Sequence, residues 1–291
     1  SGIPALFLRA DAAADLLASA GLDVATLRAR PADAPPLPLP GFAISLQAPA
    51  EVLADDRPPN VVAVLPGSDP ALRNEYVVLS AHFDHVGVGR PDAEGDSIYN
   101  GADDNASGTA ALLELAEAFA SLPEPPARSL LFLAVSGEEK GLLGSQYFTD
   151  HPTVPIDAIV ANINIDMVGR NAPDTVVVIG LDYSSLGPLV QQIASRPELG
   201  IAVLADPWPE QRFFFRSDHF NFARREIPAL FFFAGTHPDY HRPSDEPEKI
   251  DGAKIARVAR LIFHTGGAVA GASERPRWTE EGLEVVRALT R

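Results

Sequence analysis

The sequence predicts an α/β fold, a mixed, mostly parallel central sheet with helices on both faces. Three observations carry that prediction. From residue 100 onward, short apolar runs alternate with longer stretches of helical apolar spacing, and strands alternating with helices build parallel sheets covered on both sides. The short runs are continuous in their apolar character, as strands buried on both faces read. Acids and histidines fall at the ends of those runs, and sites in open α/β sheets collect at the carboxyl ends of strands.

The elements follow in order. Residues 3–8 are a candidate short strand, and residues 11–20 (DAAADLLASA) a helix capped by Asp11. Pro31, Pro35, Pro36, Pro38 and Pro40 then crowd a segment that neither a helix nor a central strand tolerates, so it reads as a linker. The β-like runs 42–46 and 61–65, with the apolar run through 76–82, predict an antiparallel start to the sheet. Residues 106–122 form a helix ended by Pro123, Pro125 and Pro126. Residues 129–135 are a buried strand followed by a short helix through Phe148. Strands are predicted at 158–165, 175–179, 201–204 and 229–233, with helices at 186–195 and 220–225. Residues 251–269 form a long helix, apolar at Ile255, Val258, Leu261 and Ile262, and 280–289 a last amphipathic one.

Composition narrows the function. Of 291 residues, 46% are hydrophobic, ample for a core. The net charge of −16 leaves no basic footprint for nucleic acid or an anionic membrane. With no cysteine there is no disulfide, no thiolate ligand and no cysteine nucleophile. No apolar run is long enough to span a membrane. Gly87 and Gly89 make no phosphate loop, because no GK[ST] follows them. The chain starts at Ser1 with neither a methionine nor a leader, and we expect it to be a processed or trimmed product.

The chemistry sits in five stretches. His82 ends a strongly apolar run, and Asp84 lies two residues on, on the same side of an extended chain. An imidazole and a carboxylate so held suit a metal ligand and the group that orients it. Asp103 and Asp104 lie in a small-residue loop before a helix, where an acid can also simply be an N-cap. Glu138 and Glu139 follow the run LLFLAV, where acids also favour the first turn of a helix. Asp166 ends another apolar strand, and a buried acid needs partners that a metal would supply. His241 lies in a loop leading to the last long helix. Together these nitrogens and oxygens suit Zn²⁺ and exclude a thiolate site. Their carboxylates exceed what one tetrahedral ion takes, which suggests two ions with one acid bridging.

The ordered set HFD, GADDNASG, SGEEKGLLGS, NIDMVGR and YHRPSD resembles the M28 family of di-zinc aminopeptidases, over about residues 42–270. The resemblance implies a zinc-exopeptidase-like fold, peptide substrates and two zinc ions per chain, with cobalt or manganese as substitutes. It also implies roles: His82 and Asp166 on the first zinc, Asp104 as the bridge, Glu139 and His241 on the second zinc. Glu138 is then the general base, Asp84 accepts a hydrogen bond from His82, and Tyr240 helps to hold the oxyanion. A cis peptide is expected at Asp104–Asn105. Arg216-Ser217-Asp218-His219 resembles the family's SDH stretch near the substrate pocket. Trp208, Phe213, Phe214 and Phe215, just before or at its edge, are either core or the wall of a pocket for an apolar side chain. His85, His151, His237 and His264 read as structural or exposed.

The segment SGIPALFLRADAAADLLASAG resembles the tail of a PA (protease-associated) domain. Residues 1–40 are accordingly expected to be a remnant of such a domain plus the proline-rich linker, and 41–291 the zinc peptidase domain. The same resemblance implies a periplasmic or secreted protein. Two other uses of the site stay open. One is a carboxypeptidase, dipeptidase or N-acyl amide hydrolase, with Arg216 or Arg242 on a substrate carboxylate. The other is an inactive binding module, which should have lost a ligand or the base, whereas this chain keeps them all.

Overall fold

The computed structural model describes residues 8–31, 34–37, 45 and 57–289. The chain divides into two compact units, Ser1–Asp56 and Arg57–Arg291. In the first unit, helices α1 (Ala10–Ser19) and α2 (Val24–Arg28) bury none of their residues. Arg9, not Asp11, takes the N-cap position of α1. Asp11 lies inside the first turn, where it accepts the Ala12 N–H at 2.8 Å and pairs with Arg9. Asp23 does cap a helix, accepting the Thr26 N–H at the start of α2. The strands expected at 3–8 and 42–46 lie outside the described residues, apart from Leu8 and Ser45, neither of which is in a strand.

The second unit carries, in chain order, β1 (Val61–Leu65), β2 (Tyr76–His82), the small hairpin β3 (Gly87–Val88) and β4 (Ile98–Tyr99), α3 (Gly108–Ala120), β5 (Ser129–Val135), α4 (Leu143–Asp150), β6 (Ile159–Ile165), β7 (Thr175–Ile179), α5 (Leu186–Ala194), β8 (Ala202–Leu204), α6 (His219–Ala223), β9 (Ala229–Phe233), α7 (Gly252–Gly271) and α8 (Glu280–Leu289). Seven of these strands form one sheet in the order β1-β5-β2-β6-β9-β7-β8. The four central strands β5, β2, β6 and β9 run parallel. β1 and β7 join antiparallel to β5 and β9, and β8 lies parallel to β7. The sheet does start antiparallel, but β1 pairs with β5, which inserts between β1 and β2. An apolar run marks a strand and carries no label for its neighbour. Among the described residues, no helix is long and apolar enough to cross a membrane.

The strands alternate their side chains between two layers. On one face Val77, Leu79, Leu130 and Ile163 pack against Leu112 and Leu115 of α3, Val190 and Ile193 of α5, and Val258 and Leu261 of α7. On the other, Val78, Leu131, Leu133, Phe231 and Phe233 pack with Phe148 of α4, Phe222 of α6 and Val286 of α8. Within this second layer two rows are polar: Ser80 and His82 on β2, and Asn162, Asn164 and then Asp166 along and past β6, all buried. A buried polar group left unpaired costs about 1–3 kcal/mol, so these rows must pair among themselves or with a ligand. The rows end at the carboxyl edge of the sheet.

A buried arginine closes the far end of α7. Arg128 pairs with Glu75 at 2.6 Å and donates to the carbonyls of Val269, Ala272 and Ser273. A fixed cation there satisfies the orphan carbonyls of the last turn and complements the helix dipole.

Candidate metal centre

Three parallel neighbours end side by side. β2 ends in His82 and runs on to Asp84 and His85, β5 runs on to Glu138 and Glu139, and β6 to Asp166. An irregular turn over Ala102–Ser107 presents Asp104 ahead of α3, and its Asp104–Asn105 peptide is cis. The loop after β9 presents Tyr240 and His241. His241 itself and Met167, next to Asp166, hold left-handed backbone conformations with φ of 55° that side chains rarely adopt.

The donors converge. His82 Nε2 lies 3.3 Å from Asp104 Oδ1 and 3.3 Å from Asp166 Oδ1. His241 Nε2 lies 3.1 Å from Asp104 Oδ2 and 3.1 Å from Glu139 Oε2. Asp104 thus turns one oxygen to each group. Ligands about 2 Å from one tetrahedral ion sit about 3.3 Å from each other, close to these spacings. His82 Nε2 and Asp166 Oδ1 are buried and have no hydrogen-bond partner. Orphaned nitrogens and oxygens facing one another, with no thiolate among them, fit divalent cations. A carboxylate oxygen of Glu138 also lies within 4.8 Å of the donor atoms of His82 and Asp166. Its position accommodates either a third donor or a base beside the pair.

A surrounding set of bonds aims these groups. His82 Nδ1 lies 3.1 Å from the Asp84 carbonyl oxygen and 3.7 Å from its carboxylate, so the carbonyl is the nearer acceptor. A carbonyl only accepts, so Nδ1 carries the proton in the neutral ring and Nε2 keeps its lone pair for the site. The Asp84 carboxylate instead accepts the backbone N–H groups of Glu138 at 3.1 Å and Glu139 at 3.3 Å. Ser217 donates to Asp166 Oδ2 at 2.7 Å. Asp103 turns away: its Oδ1 accepts the Gly169 N–H at 2.6 Å, and its Oδ2 lies 3.2 Å from His237 Nε2. His237 is therefore a buried structural histidine. Tyr240 stacks on His241 with ring centroids 3.9 Å apart.

His85 is the residue that sequence reasoning missed. Its side chain is buried, with Nδ1 2.9 Å from Glu139 Oε1 and 3.8 Å from Asp104 Oδ2. It joins Asp104 and Glu139 in one cluster of donor atoms lying within 4.8 Å of one another. The period-two rule gave no warning, because β2 ends at His82 and the chain beyond is not extended in a sheet.

The charges are crowded. Burial pushes the Glu138 carboxyl up to about 10, helped by the charges of Asp166, Asp218 and Glu139 and opposed by that of His82. Burial lowers the His82 imidazolium, yet Asp166, Asp104 and Asp84 outweigh it and the ring stands well above its ordinary value. His241 is also pulled down by burial, and Asp104 and Glu139 raise it to about 9. Raised pKa values at the very atoms that fit cations mean that binding of a divalent ion would compete with protons.

A small cleft opens at this point, lined at its polar end by Asp104, Glu138, Asp166 and His241. Its aromatic wall is Phe213, Phe231 and Phe233, and Arg216 and Tyr240 also line it. Phe214 and Phe215 do not line it, and Trp208 packs edge-on against Phe213 and Phe233. Arg216 Nη2 lies 3.5 Å from the Tyr240 hydroxyl, whereas Arg242 does not line the cleft.

The sequence profile of Peptidase family M28 matches residues 60–266. A probable leucine aminopeptidase of Arthroderma benhamiae is 29% identical over 220 residues, 70% of this chain and 56% of its own length. Two solved structures share the fold at a TM-score of 0.57. One is the aminopeptidase from Aneurinibacillus sp. strain AM-1, at 27% identity over 76% of this chain and 48% of its own. The other is BSAP, a zinc aminopeptidase from Bacillus subtilis, at 25% identity over 71% of this chain and 48% of its own. The chain spans about half the length of these relatives.

Proposed function

We propose that this chain, which belongs to peptidase family M28, is a zinc-dependent aminopeptidase that removes residues from the amino end of peptides. The observation that carries the reading is the Asp104 carboxylate, one oxygen beside His82 and the other beside His241, an arrangement that fits two cations side by side. His82 and Asp166 would hold one, Glu139 and His241 the other, and Asp104 both. When bound, the two cations would supply Lewis-acid polarisation of the scissile carbonyl and lower the pKa of water. Cobalt or manganese fits the same donors. The printed names of the relatives, leucine and zinc aminopeptidases, support the amino-terminal reading.

The chain's own residues complete the chemistry. Glu138 takes the proton of the attacking water and returns one to the leaving amine. Its raised pKa suits the second task, and positive charge in the site draws it down for the first. Burial and the carboxylates around Tyr240 hold its phenol above the ordinary range, so it stays protonated and able to donate to an oxyanion. Asp84 fixes the backbone of Glu138 and Glu139. Phe213, Phe231 and Phe233 offer an apolar wall for the first side chain.

A second reading rests on Arg216, the arginine of the cleft. A guanidinium there suits a substrate carboxylate, as a dipeptidase or carboxypeptidase requires. Mass spectrometry of a peptide ladder decides between the two. With zinc-loaded protein, stepwise loss from a free amino end that stops on acetylation supports the aminopeptidase. Loss from the carboxyl end, indifferent to acetylation, supports the second reading. No cleavage of either kind rejects both. We also propose an exported protein, on the resemblance of the amino-terminal segment alone, which fractionation of the producing cell tests.

A further inference from the structure

The polar rows inside the second apolar layer form one directed chain of hydrogen bonds. Asn162 Nδ2 donates to Ser80 Oγ at 2.9 Å, and Ser80 Oγ donates to Asn164 Oδ1 at 2.8 Å. Asn164 Nδ2 donates to Ser217 Oγ at 2.8 Å, and Ser217 Oγ donates to Asp166 Oδ2 at 2.7 Å. Asn162, Ser80, Asn164 and Ser217 are each 0% exposed, so water does not substitute for any link.

The direction is dictated from the Asp166 end. An ionised carboxylate only accepts, so the single proton of Ser217 is committed to it. The lone pair of Ser217 then takes the amide N–H of Asn164, which turns the Asn164 oxygen towards Ser80. Reversed, Asn164 would present its oxygen to Ser217 and compete with Asp166 for the same proton. With Oδ2 engaged, Asp166 leaves Oδ1 without a hydrogen bond, facing His82 Nε2 at 3.3 Å. Packing alone does not call for these residues, since apolar groups of the same shape would fill the layer with no hydrogen bonds to satisfy.

We propose that Asn164 and Ser80 are positioning residues for Asp166. Acting through Ser217, they set which carboxylate oxygen is free to meet a divalent cation. The inference rests on reading Asp166 and His82 as ligands of that cation. Its test is the affinity of the metal-free protein for its first equivalent of zinc, measured by competition with a chromogenic chelator. Ser80→Ala and Asn164→Leu are compared with wild type and with Ile193→Val, a core change in the opposite layer. Denaturant unfolding of each metal-free variant establishes that it is folded. The expected result is a fall of about 10–100-fold in first-zinc affinity in both chain variants, the usual effect of losing an outer partner of a ligand, and none in Ile193→Val. The first equivalent of cobalt should also show altered visible absorption in the same two variants alone. Unchanged zinc affinity in folded Ser80→Ala overturns the inference, as does an equal fall in Ile193→Val. Should Asn164→Leu fail to fold, Ser80→Ala decides. Wild-type protein that takes up no zinc would instead sink the metal centre itself, and the inference with it.

Discussion

The buried carboxylate of Asp245 accepts the backbone N–H of Asp104 at 3.1 Å, across 141 residues of chain. The same oxygen takes the N–H of Asp103 at 2.9 Å. The turn that presents Asp104 is thereby pinned to the loop that presents His241. Asp245→Ala strands two buried donors and should cost about 2–5 kcal/mol, while Asp245→Asn, which keeps an acceptor, should cost less than half of that. Urea unfolding of the metal-free protein measures both. An alanine variant as stable as wild type would show that the anchor is idle.

Glu138→Gln keeps the shape of the side chain and removes the base. Turnover of a leucyl peptide should fall by about 10²–10⁴-fold, the range for loss of a general base. Zinc content separates this role from that of a third donor, which the position beside His82 and Asp166 also accommodates. A variant that keeps its zinc and loses turnover has lost a base, whereas one that loses zinc has lost a ligand.

The titration of the metal-free centre has a definite sign. His241 is raised to about 9, so its contribution to stability is complete below the unfolded value of about 6.5 and disappears as pH rises through about 9. Glu138, raised to about 10, acts in the same direction, because its ionisation is penalised in the folded state from about pH 4.3 upward. Metal-free protein should therefore lose stability between about pH 6.5 and 9. Zinc at about 100 times its dissociation constant should add about 2.7 kcal/mol and flatten that decline. Denaturation midpoints across the range, with zinc and with chelator, provide the comparison. A metal-free protein that gains stability over this interval would refute the assignment.

The cleft wall predicts selectivity. Phe213→Ala should lower the ratio of kcat/KM for leucyl over alanyl substrates by about tenfold, as expected for an apolar pocket contact. Phe215→Ala, outside the cleft, should leave the ratio alone. Equal effects from the two changes would place the selectivity elsewhere.

Much of this was legible because strand ends announce themselves. The runs before His82, Ser136 and Asp166 are continuous and apolar, and parallel strands deliver their last residues to one edge. What stayed hidden depends on pairing and on irregular backbone. Nothing in the run 61–65 says that β5 is its neighbour. Phe231 and Phe233 read as plain core, because only the opening beside them turns one surface of β9 into a wall. Asp11 looked like a cap because it is the first acid before an apolar stretch, and the helix simply starts ahead of it. His85 and Asp245 sit where the chain leaves regular structure, so no periodicity foretold their direction.

Asp84 carries a mechanical consequence. One carboxylate suspends both glutamates, Glu138 beside His82 and Asp166, Glu139 beside His241 and Asp104. Any displacement of that turn against β2 therefore moves a member of each group at once. Loosening this one carboxylate, as in Asp84→Ala, should therefore disturb both groups together, whereas a change confined to the partners of Asp166 reaches only one of them.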